Sequence, residues 1–191
     1  MVKVILPKFF INGKDDENTL VFFLAGPVLG GGDWQYEAFK EFSKRIHPDV
    51  LAYIIIPCRY DALHPFRNGK HSQIAIHWHD ECITRQTVWE RQYLNRASEP
   101  RRGCVLFWLP CESKIEPRND HNPYARDTYG ELGEWRGRLM ANPNLSVVVG
   151  AEEKFPGLSV ISCNFNRALG REFPIYPTLA DTVDAAIKKV T

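Results

Sequence analysis

The chain has 191 residues, 44% of them hydrophobic and 25% charged, with a formal net charge of +1. That length and balance suit one soluble domain with a sizeable core, and near-neutral charge argues against a dedicated nucleic-acid binder. The short basic cluster Arg96, Arg101 and Arg102 reads as a solvated helix end and loop.

The opening MVKVILPKFF is broken by Pro7 and Lys8 and lacks the form of a signal peptide. VKVIL and KFFING, within residues 1–19, predict an edge strand or hairpin extension. VFFLAG (21–26) is a short apolar run ending in glycine, as a strand buried on both faces reads. A glycine-rich turn follows, and Trp34, Ala38, Phe42 and Ile46 then recur at helical spacing, with Phe39 beside them. LAYIIIP (51–57) is a second buried strand. Residues 58–80, with Pro65, Asn68, Gly69 and four histidines, read as a long loop.

A helix is predicted over 83–97, with Asp80 or Thr84 as its cap. GCVLFWLP (103–110) is a third strand, and the polar stretch CESKIEPRNDHNPYAR leads into a helix over 128–140. NLSVVVG (144–150) and LSVISC (158–163) read as the fourth and fifth strands. A last helix is expected over 178–190, with Lys188 and Lys189 in the turn where positive charge suits the helix dipole.

Five buried strands alternating with helices predict a single α/β domain over 1–191: a doubly wound, flavodoxin-like parallel sheet with helices on both faces. In such sheets ligands bind beyond the carboxyl ends of the strands, at the switch point in strand order. The turn after Gly26, the loop after Pro57 and the loop after Pro110 are therefore the places for chemistry. The five cysteines, odd in number and without a C-x-x-C pair, predict a reduced, cytoplasmic protein. No apolar run approaches the ~18 residues of a membrane span.

Several familiar motifs fail. Gly30 and Gly32 are followed by Gln35 where a dinucleotide fingerprint needs glycine, and His64 stands where a P-loop needs one before Gly69 and Lys70. His77, His79, Asp80 and Cys82 form only a weak metal-ligand pattern, and a polar loop near a pocket is the plainer reading. No G-x-S-x-G is present.

Two carboxylates remain. Glu131 lies in DTYGELGEW, between Gly130 and Gly133. Thr128-x-x-Glu131 matches a capping box, in which the carboxylate reaches back to the Thr128 amide. A cap leaves the two glycines unexplained, whereas a ligand coming close to the first helical turn would account for them. Glu90 shares a helical face with Leu94 and Ala97 and is either paired to Arg85 or Arg91 or placed at a pocket wall. Paired acids at the ends of parallel strands suit glycosyl chemistry, one attacking or shielding the anomeric carbon, the other holding a hydroxyl or a proton.

FLAGP (23–27), VWERQYL (88–94), LFWLP (106–110) and YGELG (129–133), in that order, resemble the nucleoside 2-deoxyribosyltransferase family and its relatives that hydrolyse nucleotide N-glycosidic bonds. The resemblance covers about residues 20 to 150. It implies that Glu131 is the nucleophile, that Glu90 contacts the sugar hydroxyls, and that Asp127 assists the leaving base. It further implies a substrate pocket drawn from Gly26, Trp34, Trp89 and Tyr129. The pocket would be completed in a homo-oligomer by a neighbouring subunit, for which Asn164 is the candidate. The implied partners are a nucleoside or nucleotide and a free nucleobase, with no metal or organic cofactor, no nucleic-acid polymer and no membrane. The long loops 58–80 and 111–126 depart from the shorter transferases at the substrate pocket. Three readings follow: a transferase, a nucleoside 5′-monophosphate N-glycosidase on the same site, and a nucleotide-binding module without turnover.

Overall fold

The computed structural model describes residues 1–7, 9–11, 19–57, 82–115, 117–118 and 121–191, with the backbone alone for 82–86. Six strands and five helices are described. The strands are β1 (Val2–Ile5), β2 (Leu20–Ala25), β3 (Ala52–Ile55), β4 (Gly103–Leu109), β5 (Val147–Ala151) and β6 (Ile175–Tyr176). The helices are α1 (Trp34–Arg45), α2 (Cys82–Ala97), α3 (Arg126–Ala141), α4 (Leu158–Leu169) and α5 (Leu179–Lys188).

All strands pair in parallel, in the order β1-β3-β2-β4-β5-β6. Without β1 this is the flavodoxin-like order, with its switch point between β2 and β4. The sheet therefore has one strand more than expected. The apolar N-terminus supplies it as an edge strand, with Val2 opposite Ala52, and because β3 lies between β1 and β2 these two form no hairpin.

Period-two alternation sends the strand side chains into two cores. Phe23, Ala25, Ile55, Val105, Phe107 and Val149 meet Trp89 and Tyr93 of α2, Leu132 and Trp135 of α3, and Ile161 and Phe165 of α4. Phe22, Leu24, Ile54, Leu106, Trp108 and Val148 meet Trp34, Ala38 and Phe42 of α1, and Val183 and Ala186 of α5. Helices thus cover both faces.

Two expectations are corrected. The strand expected over 158–163 is the first half of α4. Its β-branched Val160 is 61% exposed. The buried residues Ile161 and Phe165 lie four apart, as one helix face requires, and Gly170 ends the helix in the left-handed conformation. The fifth strand of the expected set is instead the short β6. The second correction concerns α3, which starts at Arg126 after Ala125, whose φ is 57°. Thr128 is therefore inside the first turn and buried, not at the cap, so Thr128 and Glu131 do not form a capping box. By contrast, Thr178 caps α5 by accepting from the Asp181 amide at 3.1 Å.

Candidate functional site

A cleft lies at the carboxyl ends of β2 and β3, bounded by the loop that follows β4. Phe23, Ala25, Gly26 and Pro27 form its floor and one wall, and Pro57 enters from the end of β3. Glu90 of α2 stands on one side. Arg118, Ala125, Asp127, Thr128 and Glu131 come from the loop after β4 and the start of α3.

The turn after β2 is shaped by close packing. Gly26 has φ of 144°, a conformation that side chains disfavour, and a Cβ there would overlap the Trp108 carbonyl oxygen. Trp34 is buried and donates from its indole Nε1 to the Pro27 carbonyl at 2.7 Å, so it supports the turn from beneath. The loop after β4 closes against the same turn. The Ser113 amide donates to the Gly30 carbonyl at 2.7 Å, and the Arg118 amide donates to Glu112 Oε1 at 2.8 Å. Tyr124, through its hydroxyl on the Pro110 carbonyl at 2.8 Å, returns the chain toward α3. Burial pushes the Tyr124 phenol well above its ordinary value, with nearby Cys111 and Glu112 adding to the shift. It stays protonated as a donor.

Of the residues singled out in the sequence, Glu131, Glu90, Asp127 and Gly26 all line this cleft. Asp127 is ion-paired with Arg126 Nε at 3.2 Å. Glu90 and Glu131 both have polar partners. Their charges also act on Arg91, whose guanidinium is held protonated first by its hydrogen bond to Glu134.

The remaining candidates are not among the described lining residues. Trp89 neighbours Glu90 but turns into the core, donating from Nε1 to the Phe9 carbonyl at 2.8 Å and packing edge-on against Tyr93. Tyr129 reaches away toward α4, with its hydroxyl on the Pro156 carbonyl at 2.7 Å and its ring against Phe155. Asn164 lies exposed on α4. A Cβ added at Gly130 or Gly133 would meet nothing within 4 Å, so neither glycine is required by the protein's own packing.

Arg118 was not anticipated. The sequence signal was present, since it lies in a polar loop after a central strand, but nothing in that loop separates Arg118 from Arg126. His77, His79 and Asp80 lie outside the described residues, as does the Cys82 side chain. Among the described residues no three His, Cys, Asp or Glu side chains gather to hold a metal ion, and no helix is long and apolar enough to cross a membrane.

The fold and cleft define a doubly wound α/β protein of flavodoxin-like strand order, with three carboxylates and one guanidinium at the switch point. No protein-family model matches the chain, and no curated protein matches it significantly in sequence.

Proposed function

We propose that this chain is a nucleoside 2-deoxyribosyltransferase that moves a 2-deoxyribosyl group between nucleobases by double displacement. The observation that carries the reading is the meeting of Glu131, Glu90, Asp127 and Gly26 in one cleft at the switch point of the sheet. The motif resemblance gives these acids their roles.

In the first step a Glu131 oxygen bonds to C1′ as the C1′–N bond breaks through an oxocarbenium-like transition state. The departing base takes a proton from Asp127 or a loop group. Glu90 holds the sugar hydroxyls. In the second step another base attacks C1′ from the vacated face, the ester to Glu131 breaks, and the incoming base releases its N–H proton. Configuration is retained. A 2-deoxy sugar suits this route because no electron-withdrawing hydroxyl sits beside the developing cation. A cytoplasmic homo-oligomer acting on free nucleosides or nucleotides belongs to the same proposal.

Arg118 favours a second reading, a nucleoside 5′-monophosphate N-glycosidase. An arginine that lines the cleft, with its amide and Cβ against Gly30 in the turn that leads into α1, suits a phosphate, and so does the positive end of that helix. Chromatography of a deoxynucleoside incubated with a second free base separates the two. Base exchange supports the transferase. Release of base and sugar phosphate from a monophosphate, with no acceptor present, supports the glycosidase. Absence of both, with a ligand-dependent melting shift, leaves a binding module.

A further inference from the structure

α2 and α3 lie over the same sheet face and carry Glu90 and Glu131, both of which line the cleft. One residue beyond Glu90, Arg91 crosses to α3 and donates from Nη1 to Glu134 Oε1. Glu134 is also held at 2.8 Å by Arg138 Nε, and Arg138 Nη1 returns to α2 by donating to Asn95 Oδ1 at 2.9 Å. Residues 91 and 95 on one helix, and 134 and 138 on the other, are each four apart, so they form two rungs on facing sides. The Arg138 guanidinium stacks 4.8 Å from the buried Trp135 ring, which anchors the lower rung to the core.

We propose that Arg91 is a positioning residue for Glu131 and Glu90: through Glu134 it locks their two helical turns at a fixed spacing and sets a positive charge near both acids. The proposal rests on the nucleophilic reading of Glu131. Among the described residues, the charged groups that share the cleft with Glu131 or act beside it are Glu90 and Arg91 from α2, Asp127 and Glu134 on α3, and Arg118 from the preceding loop; Glu90 and Glu131 also have polar partners of their own. Three acids in one cleft disfavour one another's ionisation, and a neighbouring cation offsets that. Arg91 feels the charges of Glu134, Glu131 and Glu90 together, and the interaction is reciprocal.

The test compares wild type, Arg91→Lys, Arg91→Met and Glu134→Gln by the pH dependence of base exchange. It adds ¹³C NMR titration of the Glu131 carboxyl, assigned with Glu131→Gln. Arg91→Met is expected to raise the acidic limb and the NMR midpoint, by less than a close desolvated pair gives because Arg91 is 44% exposed. Its kcat/KM should fall roughly tenfold, short of the ~100-fold that a 1 Å misplacement can produce. Arg91→Lys keeps the charge and should restore the limb. Glu134→Gln removes a negative neighbour and should move the limb the opposite way, a readout that survives if Arg91→Met fails to fold. An unmoved midpoint in Arg91→Met, a lysine variant that shifts as far as the methionine one, or an unmoved midpoint in Glu134→Gln overturns the proposal. The NMR titration needs no substrate. Lack of base exchange in wild type would therefore sink the functional reading while the positioning role was still decided.

Discussion

The carbonyl oxygen of Trp108, near the end of β4, occupies the space that a side chain on Gly26 would need, just beyond the end of β2. The two central strands therefore approach closely where the cleft opens, and the first wall of the site depends on a residue with no Cβ. Gly26→Ala is expected to destabilise the protein by about 1–3 kcal/mol from backbone strain, with the overlap adding to it. Urea denaturation measures this, and a midpoint equal to wild type would show that the turn yields freely.

Glu131 lies inside α3 rather than at a cap, so its neutral isostere should cost the fold little. Glu131→Gln is expected to abolish base exchange while leaving Tm within a few degrees of wild type, since α3 begins at Arg126 without it. Glu90→Ala should lose much of its activity through weaker sugar positioning. Radiometric base exchange and thermal melts decide both. Full activity in the glutamine variant would remove Glu131 as nucleophile, and unchanged kinetics in Glu90→Ala would remove that residue from the site.

Gly130 and Gly133 face open space on α3. Alanine at either position is expected to raise stability by up to ~1 kcal/mol, the usual helix preference for alanine over glycine. If substrate or a neighbouring subunit comes close to that turn, the same variants lose activity or assembly while gaining stability. A combined gain in stability and full retention of activity would mean that nothing approaches there.

Glu134 is held below the ordinary carboxylate value of 4.5, first by its hydrogen bond to Arg91, which outweighs the opposing effect of burial, and then by the charges of Arg91 and Arg138. A depressed folded-state value means that its contribution is fully present above the unfolded value and is lost as pH falls through the folded one. Because the side chain is 37% exposed, that contribution is on the order of 0.5 kcal/mol. Glu134→Gln should therefore be slightly less stable than wild type at pH 7, and the two should converge as pH falls past the ordinary carboxylate value and through the lower folded one. A gap that widens on acidification in chemical denaturation would contradict the assignment.

Much of this architecture was legible in advance. The runs around Phe22, Ile54, Leu106 and Val148 are apolar on both alternations, and only a sheet covered on two faces buries both. That pattern also implied where ligands bind, because the chain must cross from one side of the sheet to the other between β2 and β4. Glu90 stood out as an acid on an apolar helix face, and Glu131 as one set between Gly130 and Gly133. The segment 158–163 misled because leucine, valine and isoleucine in close succession fit a strand as well as a helix. Only the exposure of Val160 and the pairing of Ile161 with Phe165 separate the two.

The sequence by itself determined the layers, the central strands and the acids available to the cleft, because residue periodicity records which side of an element avoids water. Only the tertiary structure decided that Arg118 joins the acids, that Trp34 supports the Pro27 carbonyl of the cleft's turn while Trp89 and Tyr129 turn to backbone carbonyls elsewhere, and that Arg91 reaches Glu134 across two helices. The physical reason is that a cleft is made by what loops and helices distant in the chain present to one another. Periodicity along one element carries no information about what stands opposite it.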